Sequence, residues 1–144
     1  MFRLMGVQPV YWLRKIWSPE LFQGRYKTRN YFEGWYYKLI SADHNHIYAV
    51  IPGIALGSEP ADAQSFIQVI NGSTGRTGFF RYPLSAFKSD QRRFAIAIGE
   101  NSFSQEAISL NLAGVNRPQW GTSRRIRHVS RTSAMVDAGW WVIR

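Results

Sequence analysis

Cysteine is missing altogether from these 144 residues. That excludes a disulfide framework, a cysteine-based zinc site and thiol catalysis, although it leaves the compartment open. Acids are scarce as well, nine against eighteen Lys and Arg, for a formal net charge of +9. No run approaches the roughly 18 apolar residues of a membrane-spanning helix. The opening stretch, MFRLMGVQPVYWLRKIW, breaks its apolar residues with Gln8, Pro9, Arg14 and Lys15. Neither a signal peptide nor a transmembrane anchor is expected there, which leaves a cytoplasmic or membrane-peripheral location as the expectation. The signatures GxxxxGKS/T, GxGxxG, HExxH and GxSxG are absent too. Their absence removes the familiar phosphate-cradling, dinucleotide, zinc-protease and serine-hydrolase patterns. No internal repeat or low-complexity tract is visible.

What remains is a single domain, or part of one, long enough to bury a core. Hydrophobic residues make up 45% and charged residues 19%, a globular rather than a disordered balance. Aromatics reach 15%, with six Trp, seven Tyr and nine Phe. A basic, aromatic-rich chain suits nucleic acid, an anionic membrane surface or a flat apolar ligand. The charge is uneven. Residues 117–144 carry six Lys and Arg (Arg117, Arg124, Arg125, Arg127, Arg131, Arg144) against one acid, Asp137, so more than half the net charge sits in the last fifth. Within that stretch RRIRHVSR (124–131) is the sole basic cluster, and such clusters are more often solvated surface than a binding site. A nucleic-acid interface would interleave bases with exposed aromatics along one face, and the preceding region is only mildly basic. Nucleic acid is therefore not the expected partner.

The hydrophobic pattern predicts an antiparallel β domain over 31–112, a lipocalin-like barrel or sandwich, incomplete at this length. Residues 1–30 read as an entry segment, with one short helix over VYWLRKIW (10–17). YFEGWYYKLIS (31–41) reads as a strand with Tyr31, Glu33, Trp35, Tyr37 and Leu39 on one face. The segment 43–46 is a turn, and IYAVIPGIAL (47–56) resumes as a strand that Pro52 should end, bulge or confine to an edge. GSEPADAQ (57–64) is a loop by composition. SFIQVI (65–70) alternates, and NGSTG (71–75) is a hairpin turn in which Asn and Gly supply positive φ. TGFFRYPLSAF (77–87) returns with Pro83 interrupting it, RRFAIAIGE (92–100) puts Phe94, Ile96 and Ile98 on one face, ENS turns the chain, and AISLNL (107–112) closes the series. From 113 to 144 no period holds. That tail is open to three readings: a basic binding arm, an irregular segment packed on the body, or the product of an incomplete or frame-shifted gene.

Glu33 is the acid that stands out. A carboxyl on an aromatic interior face is desolvated, which raises its pKa and favours the neutral form, a proton donor near neutral pH. The plain alternative is an exposed Glu33, or one paired with Lys38, Arg25 or Arg29. Tyr36, Tyr37 and Gln68 could orient a ligand hydroxyl, or serve the sheet alone. His44 and His46 would share a face if extended, but two ligands do not make a metal site, and a solvated turn is the better reading. No metal is expected.

FQG (22–24), YFEGWYYK (31–38), IPGI (51–54) and SFIQVI (65–70) together resemble the N-terminal half of the tocopherol cyclase family, over roughly Ser18 to Leu112. The resemblance implies a lipocalin-related β structure with an apolar cavity and no redox cofactor. It also implies a reaction: protonation of the prenyl double bond nearest a hydroquinone ring, then capture of the tertiary cation by the phenol oxygen to close a chromanol. The partner so implied is a hydrophobic prenylated aromatic small molecule. On that chemistry Glu33 is the acid, and Trp35, Tyr36 and Tyr37 line the substrate and stabilise the cation, with Gln68 beside them. The runner-up is a non-catalytic carrier of hydrophobic ligands on the same scaffold. Family members are around twice as long, and NRPQWGTSRRIRHVSR does not resemble their continuation. An incomplete barrel would expose sheet edges, so oligomerisation and peripheral membrane contact are further expectations.

Overall fold

The computed structural model describes residues 21–112, 129–130 and 142–143. The expected helix over 10–17 and most of the basic tail lie outside those residues. The described chain is all-β, as its alternating pattern predicts: two antiparallel sheets, neither closed into a barrel. The first sheet has six strands: β1 (Tyr31–Trp35), β2 (Tyr37–Ile40), β3 (Ile47–Leu56), β4 (Gln64–Asn71), β5 (Thr77–Pro83) and β11 (Val142–Ile143). The second has five: β6 (Phe87–Ser89), β7 (Ala95–Ile98), β8 (Asn101–Ser104), β9 (Ala107–Ser109) and β10 (Val129–Ser130).

Period-2 patterning decides which side chains meet between the sheets. Trp35, Tyr37, Leu39, Val50, Ile67, Val69 and Phe80 from the first sheet form one core with Ile96, Ile98, Phe103 and Ile108 from the second and with Phe94 and Leu110, which flank its strands. The residues that alternation puts on one face in 31–39 and in 94–98 do share a face, and in both segments that face is the inward one. Truncating a ring such as Phe103, wholly buried here, would cost about 3–5 kcal/mol through lost transfer energy and an unfilled cavity.

Five local expectations are corrected. Pro52 neither ends β3 nor puts it at an edge, because β3 pairs with β1 and β2 on one side and with β4 on the other. The effect of its missing N–H is instead a lapse in the ladder. Pairing stops at Gly34↔Gly53 and resumes in the same register at Tyr37↔Val50. The single strand expected over 31–41 is therefore divided at Tyr36. In the 71–75 turn the positive φ falls at Gly75 (70°), while the Asn71 side chain accepts the N–H groups of Ser73 and Thr74 at 2.9 and 3.0 Å. Asn101–Ser104, expected in part as a turn, is strand β8, because Phe103 packs inward and pairs with Ile96 and Ile108. Finally, two dipeptides of the tail expected to be irregular are strands: Val129–Ser130 pairs with β9 and Val142–Ile143 with β1. Pro83 interrupts its strand as expected, and the turn Leu84–Ala86 carries the chain from the first sheet to the second.

Candidate functional site

The inward face of β1 holds Tyr31, Glu33 and Trp35 in succession, and Glu33 is 0% exposed. A carboxylate taken out of water needs donors or a countercharge. Glu33 receives donors from the segment just before the sheet. Gln23 N–H donates to both carboxylate oxygens, at 3.0 Å to Oε2 and 3.2 Å to Oε1. Gly24 N–H and the Tyr31 hydroxyl donate to Oε2 at 3.1 and 2.7 Å. The two backbone donors come from the entrance to a short 3-10 turn, Gly24–Tyr26. Glycine is needed there, since a Cβ at position 24 would strike the Tyr31 ring and lie 2.7 Å from that of Phe22. Phe22 anchors the same segment by packing on Trp35 and Phe87, with centroids 6.3 and 5.0 Å away.

Every hydrogen bond just described is accepted by the carboxyl, which suits the anion. Hydrogen bonds to a charged partner contribute about 1.5–3 kcal/mol each. Glu33 thus ties the FQG segment to the first strand, and the two motifs prominent in the sequence prove to be halves of one contact. Lys38, offered as a partner for Glu33, lies exposed on the opposite face of the strand.

The other sequence-derived site residues do not gather around it. Trp35 is 2% exposed and stacks on Phe87 at 6.2 Å. Tyr37 is also buried, its hydroxyl donating to the Ser104 carbonyl at 3.3 Å, and burial raises its phenol above the ordinary range. Tyr36 and Gln68 belong to the other side of the sheet. Gln68 sits between Ile51 and Phe79 in register, and the unbroken count across the Pro52 lapse puts Tyr36 in the same row. The five residues therefore divide between two faces and do not line one cavity.

That outward face carries a feature the sequence reading missed. Phe32, Phe66 and Phe79 form a ladder of stacked rings, with centroids 5.5 and 5.2 Å apart. Phe66 is buried because it lies flat across β3 at Gly53, where a Cβ would come within 2.6 Å of its ring. Phe32 and Phe79 remain 40% and 43% exposed. Arg81 is the cross-strand partner of Phe66. Where the strands meet the β3–β4 connection, a groove of about 670 Å³ opens, lined in part by Phe32, Ala55, Leu56, Gln64 and Arg81, with Asp62 also on its wall. Neither Glu33, Trp35, Tyr36, Tyr37 nor Gln68 lines it. Alternation along TGFFRYP, which turns Phe79 and Arg81 to one side, is the signal that could have found it.

Among the described residues no group of three or more His, Cys, Asp or Glu could hold a metal ion. His44 and His46 lie in the expected turn, where the Asp43 carboxylate accepts from Ser41 Oγ, from Asn45 N–H at 3.1 Å and from Asn45 Nδ2 at 3.0 Å. Among the described residues no helix is long and apolar enough to cross a membrane. Comparison of the chain with protein-family models, curated proteins and solved structures finds no match. The tocopherol cyclase resemblance accordingly rests on the quoted residues alone.

Proposed function

We propose that this protein binds an amphipathic small molecule without transforming it, and that the groove beside Phe32 is the seat. What carries the reading is the lining. Apolar side chains of Phe32 and Ala55 meet the hydrogen-bonding groups of Gln64 and Arg81 in one concavity, the combination that small-molecule sites use for affinity and orientation. The volume is within the usual range for a drug-sized ligand. Residues on paired strands supply most of those groups, so the site is pre-formed and little ordering is needed on binding.

The test is a neutral apolar fluorophore, N-phenyl-1-naphthylamine, whose emission rises on leaving water. Ala61 is exposed on the Pro60–Asp62 turn and lines the groove, so Ala61→Trp should fill it while leaving the sheet intact. Saturable binding lost in Ala61→Trp is the expected result. Binding equal in the two proteins would sink the assignment.

Proton-initiated closure of a prenylated hydroquinone, the reaction implied by the family resemblance, is the second reading. Its support is the complete burial of Glu33 on a face shared with Tyr31, Trp35 and Tyr37. It ranks second because the carboxyl accepts hydrogen bonds from Gln23, Gly24 and Tyr31, an arrangement for holding chain rather than releasing a proton. It requires chromanol formation from such a hydroquinone that Glu33→Gln abolishes.

A further inference from the structure

The groove also carries a charge preference, and here the inference rests on the binding function just proposed. We infer that its ligand is an amphipathic anion, a planar aromatic or short aliphatic body ending in a carboxylate or sulfonate, with the anionic end on Arg81 and the apolar body along Ala55 and Phe32.

Arg81 projects from β5, a strand paired along its length with β4, so its origin is fixed by the sheet. Arg93 pairs with Asp90 at 3.6 Å, and among the described residues no carboxylate is paired with Arg81. A guanidinium on an exposed strand position, facing a concavity and unengaged by an acid, presents a rigid fork that matches a planar oxyanion. The groove's other charged lining residue, Asp62, comes from the Pro60–Asp62 turn instead of a strand. It borders the space above the β3–β4 connection and favours a ligand whose negative end points away from that turn, toward β5.

Register sets the length. Phe32 pairs with Ala55, Ala55 with Gln64 and Gln64 with Pro83, so Phe32 and the Arg81 strand are three ladder steps apart. At about 4.8 Å per step that is roughly 14 Å, the span of two fused or linked rings with a head group. Phe66, the cross-strand partner of Arg81, stacks on Phe32 and so braces the apolar end of the groove from outside its lining.

Two probes of nearly equal shape separate the charge from the apolar term. One is the neutral amine used above; the other, 1-anilinonaphthalene-8-sulfonate, adds one anionic group. The expected result is that the intact protein favours the sulfonate by about tenfold, the worth of one charge-assisted contact. In Arg81→Gln that preference should vanish, the sulfonate losing about tenfold more affinity than the neutral probe. Lys38→Gln removes the same charge from the same sheet face, outside the groove, and should leave the preference intact. Equal losses in Arg81→Gln and Lys38→Gln would mean that net charge alone draws the sulfonate, overturning the inference. Neutral-probe binding that Ala61→Trp blocks, with no sulfonate preference, overturns the anion assignment and spares the binding function. Failure of both probes to bind removes both.

Discussion

Among the described residues Glu33 and Asn101 are both fully buried polar side chains, one on each sheet, and they solve the same problem differently. Glu33 brings a charge into the first sheet and finds its donors outside the sheet, on Gln23 and Gly24. Asn101, on the second sheet, is neutral and acts as a two-way clamp: Nδ2 donates to the Ile98 carbonyl at 2.9 Å and to the Tyr82 hydroxyl at 3.0 Å, and Oδ1 accepts from Asn111 N–H at 2.7 Å. Its contact with Tyr82 reaches from the second sheet to β5, where burial raises the phenol above its ordinary range and the Asn101 hydrogen bond opposes that rise. The charged residue fastens an incoming segment, while the neutral one joins strands already in the fold. A buried charge commits more free energy to its partners, so removing it should cost more.

The largest effect should come from Glu33→Ala. It removes the carboxylate that accepts from the Gln23 and Gly24 N–H groups and the Tyr31 hydroxyl together, and we expect a loss of about 3 kcal/mol in urea unfolding. Glu33→Gln keeps the shape but turns an NH₂ toward donors or leaves them a single acceptor, and about 2 kcal/mol is expected. Should Glu33→Gln prove neutral, the carboxyl holds nothing by its charge and the contrast with Asn101 collapses. Next comes Asn101→Ala, at about 2 kcal/mol, with the Asn111 N–H the group left unmatched. A cost above that of Glu33→Ala would reverse the ranking.

The smallest effect belongs to the exposed turn. Hydrogen bonds from Ser41 and then Asn45 lower the Asp43 pKa from 3.8 to about 2. A carboxylate whose folded pKa is depressed adds stability above its ordinary pKa, and that contribution disappears as pH falls through the folded value. Stability should therefore decline modestly between pH 4 and 2 in the intact protein, and Asp43→Asn should flatten that slope. An identical acid limb in the two proteins would show that the turn adds nothing.

How much of this was legible beforehand depended on how local each cause is. Alternation is a property of consecutive residues, so the grouping of Trp35 with Tyr37 and of Ile96 with Phe94 and Ile98 could be read directly. The same count put Glu33 on the face of Trp35 and Tyr37 but left its burial open. Its partners could not be read, because the return of Gln23 and Gly24 against the sheet depends on a reversal between Gly24 and Tyr31 that has no periodic signature. Pro52 misled because a proline shows that a donor is missing without showing on which side of the strand. Its lapse falls toward β1 and β2, while β4 keeps its pairing. The groove was least legible of all, being assembled from the ends of β1, β3 and β4, a connection, and one residue of β5. Tyr36 and Gln68 were assigned to a site by residue type, and strand geometry sends them to the other face from Glu33.

β5 ends the first sheet's order among the described strands, and an end strand is where a second copy could add itself by backbone pairing. This one is poorly suited to serve as a template. Pro83, its last residue, has no N–H to offer, Arg81 sets a positive charge near the rim, and the Leu84–Ala86 turn bends the chain away at once. The cation that would orient a ligand also discourages one sheet from growing into another.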